Sequence, residues 1–263
     1  MRNIKLLIAY DGTGYAGWQR QKHAPTIQQS IEQALKAMIG EGVALHGAGR
    51  TDAGVHAAGM VANFQTHTTI PVSGFVGGLN ALLPRDIRIL AADEVPLAFH
   101  SRFGATGKTY RYHLYTGKIN LPTRRLYQAH IPTPFDPDPV QICLRLLLGQ
   151  HDFSSFETTG SRDRAHTGGR GAVRTIFRAG LEQELCQEQA WIFTFQGDGF
   201  LRHMVRALVG TLVRVGGIKM SPEQFGAVLE AKDRAQAAAT APACGLFLER
   251  VHYDDESLLT STG

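Results

Sequence analysis

The sequence predicts an α+β protein of two ferredoxin-like halves, residues 1–98 and 99–263, whose mainly antiparallel sheets flank a central cleft. Three observations carry this expectation. Over residues 1–98 the apolar patterning runs strand, helix, strand, strand, helix, strand, which is the ferredoxin-like order. From residue 99 onward, helical and alternating stretches are mixed again, with no visible sequence repeat. A chain of 263 residues, 43% hydrophobic and 19% charged, is long and apolar enough for one large or two small packed cores.

NIKLLIAYDG, 3–12, reads as a buried strand ending in a turn. A polar, glycine-bearing loop follows. TIQQSIEQALKAMIG, 26–40, then repeats Ile27, Ile31, Leu35 and Met38 at helical spacing, with Thr26 as N-cap. GVALHGAGR, 42–50, alternates weakly and is expected to be a strand. HAAGMVANFQTH is the next strand, 72–83 a short helix, and DIRILAADEV another strand.

In the second half, residues 99–116 read as one long strand and VQICLRLLLGQ, 140–150, as a helix. VRTIFRAGLEQEL and AWIFTFQGDGF read as paired strands. HMVRALVGTLVRVG is a helix with Met204, Leu208, Leu212 and Val215 on one face. SPEQFGAVLEAK is a helix capped by Ser221 with Pro222 at its first position, and GLFLERVHY is a closing strand. TTGSRDRAHTGGRG, 158–171, has no apolar periodicity and is expected to be a mobile loop, either plainly solvated or an arm for phosphates carrying Arg162, Arg164 and Arg170.

The formal charge of +4 and pI near 9.0 favour a polyanionic partner over an acidic one. Cys143, Cys186 and Cys244 are far apart and form no CxxC pair, which fits a reducing compartment. The eleven histidines show no metal-ligand spacing, so no metal site is expected. The apolar run near the start ends at Asp11, too short for a signal peptide, and no run approaches a membrane span. These features predict a cytoplasmic protein.

GAGRTDAGVHA, 47–57, has the glycine content of a phosphate cradle but the wrong spacing. The dinucleotide fingerprint needs a third glycine where Asp52 stands, and a P-loop ending at Lys108 needs a glycine where Arg102 stands. No nucleotide cofactor is expected. Asp52 instead lies between two expected strands, in a tight turn that Gly49 and Gly54 can permit. Such an aspartate either caps its own turn or is presented for chemistry.

Motifs along the chain bear on that choice. GRTDAGVHA, YDGTGYAGWQRQ before it, GKTYRYHLY after it, and then FLRHMVR, AKDR and AAATAPACGLFLERVHY follow in order. Over Ile4 to about Tyr253 the chain resembles the bacterial tRNA pseudouridine synthase A family. The resemblance implies an α+β fold, a homodimer, no cofactor, and conversion of uridine to pseudouridine at positions 38, 39 and 40 of the tRNA anticodon stem and loop. It implies that Asp52 is the catalytic nucleophile, that Tyr110 lies against the target base, that Arg206 pairs with the aspartate, and that Arg50 helps to hold the flipped nucleotide. Met60 and Ala207 depart from the family pattern, where glutamine and asparagine are common, and the loop 158–171 is longer than usual.

The residue types suit that reaction. Uracil leaves C1′ as a delocalised anion, so one ionised carboxylate could serve where glycosidases use two. Asp52 would either attack the ribose or take a proton from it. A cation beside it, Arg206, would oppose the cost of burying its charge. The flipped nucleotide needs a stacking surface, and Tyr110 is either that surface or a strand tyrosine facing the core. Leu246 lines an apolar wall or simply packs. Arg20, Lys22, Arg102, Lys108 and Arg111 are candidate RNA contacts, or a solvated basic face. The competing class is a tRNA-binding protein of the same fold that remodels RNA without catalysis.

Overall fold

The structure is a computed structural model that describes residues 1–158, 160, 170–185 and 187–254. Arg162, Arg164 and Cys186 lie outside the described residues. The chain forms two compact units: unit 1 takes Met1–Lys108 and the segment beginning at Phe247, and unit 2 takes Thr109–Leu246. The boundary expected between 98 and 99 thus falls ten residues later, at 108/109, and the last strand belongs with unit 1.

Unit 1 contains β1 (Arg2–Tyr10), α1 (Ile27–Ile39), β2 (His46–Gly47), β3 (His56–Thr66), α2 (Val72–Leu82) and β4 (Ile87–Val95). The sheet runs β4-β1-β3, with β2 on the far side of β3, and all three pairings are antiparallel. β1 turns Ile4, Leu6 and Ile8 fully into the core. On its other face Asn3 and Lys5 are also buried, so their polar groups are paired. The Lys5 ammonium meets Asp93 at 2.9 Å, and the Asn3 amide donates to the Pro96 and Phe99 carbonyls at 3.0 and 2.9 Å.

α1 starts where Thr26 accepts the Gln29 N–H at 3.4 Å and ends at Gly40, whose φ of 79° is the left-handed conformation that glycine permits. Ile27, Ile31 and Leu35 face the core. α2 packs through Phe75, edge-on to Phe64 of β3 with ring centroids 5.6 Å apart.

The strand expected over 42–50 shrinks to the two residues of β2. The reason lies at Leu45, whose N–H and carbonyl are taken by side chains of α1, Glu32 at 3.3 Å and Gln28 at 3.0 Å. Its backbone is satisfied without a strand partner.

β5 (Ala105–Tyr115) carries the chain from unit 1 into unit 2, and β10 (Leu246–Tyr253) carries it back. β5 begins six residues later than expected, because residues 100–104 form a turn closed by the Gly104 N–H on the His100 carbonyl at 2.9 Å. Within unit 1, Phe247 and Leu248 of β10 pair in parallel with His56 and Ala57 of β3.

Unit 2 adds β6 (Ala129–His130), α3 (Pro137–Leu146), β7 (Gly149–Asp152), β8 (Val173–Gln183), β9 (Ala190–Gly197), α4 (Met204–Gly216) and α5 (Pro222–Ala231). Its strand order is β5-β9-β8-β7, with β6 parallel to β5. α3 starts three residues before the expected position, because Asp136 caps it and Pro137 opens it. In α4, Met204, Leu208, Leu212 and Val215 are buried, and so are Val205, Val209 and Val213 on another face. α5 has the expected Ser221 cap, completed into a reciprocal box by Gln224. No helix among the described residues is long and apolar enough to cross a membrane.

Candidate active site

Asp52 opens a turn that leads straight into β3. The Val55 N–H donates to the Asp52 carbonyl at 3.2 Å, and Gly54 takes a φ of 74°, which the third residue of such a turn requires. The side chain is half-buried. This turn is held by the loop that follows β1. Trp18 N–H donates to the Thr51 carbonyl at 3.1 Å, and Gly54 N–H to the Tyr15 carbonyl at 3.3 Å.

Two glycines allow that close approach. A Cβ at Gly17 (φ 97°) would sit 2.5 Å from the Thr51 carbonyl oxygen, and one at Gly12 would sit 2.0 Å from that of Val55. Beneath the turn, the Tyr10 and Thr51 hydroxyls share a buried hydrogen bond of 2.8 Å. The Asp52 backbone is therefore fixed on both sides, and the residue is half-buried in unit 1.

The residue that starts β3 ties the same loop down. His56 is buried and stacks on Phe247 at 4.6 Å. Gly12 N–H donates to its Nδ1 at 3.1 Å, while an Asp11 oxygen lies 3.2 Å from the same nitrogen. Asp11 in turn accepts from the Thr13 N–H and hydroxyl at 2.9 and 2.6 Å.

Gly49 plays a different part from the one its sequence suggests. Its φ is not positive. Its missing Cβ instead leaves room for the Lys108 ammonium, which would lie 2.8 Å from such an atom. A cation thus rests on the loop three residues before Asp52. Gly47 likewise makes way for the Trp18 indole, 2.5 Å from a Cβ there, so Trp18 is a core residue. Arg50 is exposed. Arg50 and Asp52 therefore share one loop of unit 1, and the Lys108 ammonium reaches that loop from β5.

Unit 2 holds the other inferred residues. Tyr110 on β5 is 8% exposed and meets the edge of Phe200 at 5.0 Å. Arg206 is the third residue of α4. Its Nε donates to the Ala241 carbonyl at 2.8 Å, and Ala241 N–H returns a bond to the Arg206 carbonyl at 3.0 Å. The segment 237–245 is stitched down around this exchange. Gly210 admits the Ala239 carbonyl to 2.1 Å of where a Cβ would be, and the Tyr112 hydroxyl donates to the Pro242 carbonyl at 2.9 Å. Burial pushes the Tyr112 phenol well up, which keeps it a neutral donor. Leu246, at the end of this strap, is buried. α4 itself begins at His203, held in a left-handed conformation (φ 63°), with its Nδ1 2.8 Å from the Thr158 hydroxyl.

The remaining candidates differ in how committed they are. Arg20 pairs with Glu32 at 3.2 Å, and Arg170 with Asp198 at 2.5 Å, so part of each charge is already met. Lys22 is exposed, Arg111 half-buried, and Arg102 exposed with its guanidinium 5.9 Å from the Phe103 ring centroid. Among the described residues no group of three His, Cys, Asp or Glu is arranged to hold a metal ion. The sequence reading missed Thr51, Gly17 and His56 as supports of the Asp52 turn. Only the proximity of GRTDAGVHA to a glycine-rich loop earlier in the chain hinted at them.

Residues 6–104 and 143–254 match the profile of the family described as tRNA pseudouridine synthase. Asp52, Arg206 and Leu246 fall inside the matched segments; Lys108, Tyr110 and Arg111 fall between them. The chain is similar to tRNA pseudouridine synthase A 1 of Desulfotalea psychrophila, 54% identical over 253 residues that cover 96% of this chain and 100% of that protein. It is also similar to tRNA pseudouridine synthase A of Acetivibrio thermocellus, at 44% over the same shares, and of Clostridium acetobutylicum, at 41% over the same shares.

Proposed function

The chain belongs to the tRNA pseudouridine synthase family, isomerases that convert uridine in tRNA to pseudouridine, and we propose that it acts at positions 38, 39 and 40 of the anticodon stem and loop, with Asp52 as the acting carboxylate. The observation that carries the assignment to Asp52 is its turn, fixed by Gly12, Gly17 and Thr51 against a second loop. An aspartate that merely capped its own turn would not need a second loop packed backbone to backbone against it.

The reaction is balanced without a co-substrate. The N1–C1′ bond breaks, a C5–C1′ bond forms, and one proton is lost from C5 and one gained at N1. Asp52 acts on the ribose, and Arg206 supplies the cation that favours its ionised form. Tyr110 and Leu246 provide flat and apolar surface for the detached base, and Arg50 attends the flipped nucleotide. Phosphates are met by Lys108, Arg111, Arg20, Lys22, Arg102, Arg162, Arg164 and Arg170. The working form is a cytoplasmic homodimer, since a tRNA is longer than a 28.7 kDa chain is wide and needs a second grip.

The test is direct. Unmodified tRNA is incubated with the protein, pseudouridine is marked with carbodiimide, and its position is mapped by mass spectrometry. Wild type is expected to mark 38–40, and Asp52→Asn is expected to bind tRNA within a few-fold and mark nothing. Activity of Asp52→Asn near wild type sinks the assignment, and a wild type that modifies other positions replaces the target.

A further inference from the structure

Phe103 is 78% exposed, at the tip of the turn that precedes β5 in unit 1. An exposed phenylalanine alone means little. Its surroundings set this one apart. The turn is pinned at Ser101, which is fully buried: its hydroxyl donates to the His46 carbonyl at 2.5 Å, its N–H donates to the Asn63 side chain at 2.9 Å, and its carbonyl accepts from the Tyr253 hydroxyl at 2.7 Å. A tip held from three directions presents its ring at small entropic cost on binding.

Three further groups surround the ring. The His100 ring lies 4.4 Å from it, and His46 lies 5.1 Å beyond His100, so three flat groups follow one another. His100 Nδ1 accepts from the Arg102 N–H at 3.1 Å, which keeps the ring neutral and fixed. The Arg102 guanidinium stands 5.9 Å over the Phe103 ring, and its side chain makes no ion pair among the described residues. His46 leads directly into the loop that bears Asp52 and receives the Lys108 ammonium.

We propose that Phe103 is a stacking platform for an unpaired nucleobase of the tRNA outside the target uridine, with Arg102 taking an adjacent phosphate. This rests on the RNA-modifying function above and extends it to a second contact. Single-stranded bases in loops are recognised by aromatic stacking and by arginine, and an exposed ring beside an exposed guanidinium supplies both. The ring is sequence-tolerant, as a protein acting at three neighbouring positions requires.

Binding of an unmodified tRNA transcript is measured by fluorescence anisotropy across a salt series. Loss of one stacked base corresponds to roughly 5- to 150-fold in Kd. Phe103→Ala and Phe103→Leu are both expected to weaken binding within that range and to leave the salt slope unchanged. Arg102→Ala is expected to flatten the slope by about 0.7 to 0.9. Phe103→Trp is expected to keep wild-type affinity, with indole fluorescence quenched by tRNA. Unchanged affinity in Phe103→Ala overturns the proposal, as does full affinity in Phe103→Leu, which would mark a merely apolar contact. A change of oligomeric state in Phe103→Ala on light scattering also overturns it, in favour of a protein–protein contact. A wild type that forms no pseudouridine condemns the functional reading instead. An active wild type beside a Phe103→Ala variant of unchanged affinity condemns only the stacking.

Discussion

The Tyr10 hydroxyl lies 2.8 Å from the Thr51 hydroxyl, both buried, one residue before Asp52. The bond links the end of β1 to the turn that presents the carboxylate. Removing either hydroxyl deletes a buried hydrogen bond, worth about 0.5–1.5 kcal/mol. Tyr10→Phe and Thr51→Val are each expected to lower stability by that amount and to lower kcat more than they raise KM. The double variant should cost less than the sum. Additive losses in a double-mutant cycle would show that the bond does not couple the two.

Gly17→Ala is the sharpest probe of the loop. The position has a φ of 97°, and a methyl group would lie 2.5 Å from the Thr51 carbonyl oxygen. Backbone must move, on the side that carries Asp52. The variant is expected to lose at least about 1 kcal/mol of stability and most of its turnover, with tRNA affinity nearly retained. A control at Gly14, which has open space around it, should be close to silent. Equal losses at both positions would refute the packing argument.

For Tyr110 the ring and the hydroxyl can be separated. If the ring supports the base, Tyr110→Phe keeps most activity while Tyr110→Ala loses about 1–3 kcal/mol of transition-state stabilisation. Measured kcat/KM for the two variants decides it, and equal loss would point to the hydroxyl as the working group.

Stability should have a limb on each side of neutrality. Burial pushes the Cys143 thiol up to about 11. The folded chain therefore binds that proton more tightly, and the contribution is full below the ordinary value of 9.0 and lost as pH rises through about 11. His100 and His252 are pushed down, each mainly by burial, so their contribution is full above the ordinary 6.5 and lost as pH falls below it. Melting temperature is expected to be level between these values and to fall on both sides. Cys143→Ala should move the alkaline limb outward. An unchanged limb would assign it to the buried phenols of Tyr112 and Tyr253, which burial also pushes up.

How legible these features were depended on how local their causes are. The Thr26 cap, the Ile27, Ile31 and Leu35 stripe and the Ser221 and Pro222 start could all be read along the chain, because a helix is satisfied by its own neighbours. The strand over 42–50 was overread because Leu45 bonds to side chains that stand seventeen and thirteen residues earlier. Asp52 was conspicuous as a charge among glycines. Its supports were not, since Gly17, Tyr10 and His56 matter through contacts that cross the sheet. Gly49 was noticed for the wrong reason: what it provides is the absence of a side chain beneath Lys108.

The parallel pairing of β10 with the first residues of β3 carries a consequence for biosynthesis. Phe247 stacks on His56, yet all of unit 2 lies between them in the chain. A polypeptide emerging from the ribosome thus makes the Asp52 loop early and must wait for the whole of unit 2 before the neighbouring strand arrives. Until then the first residues of β3 have an open edge, the kind of surface that nascent chains must keep from pairing with others. The strand that continues from the carboxylate's loop is among the first parts translated and waits until nearly the end of synthesis for its parallel neighbour.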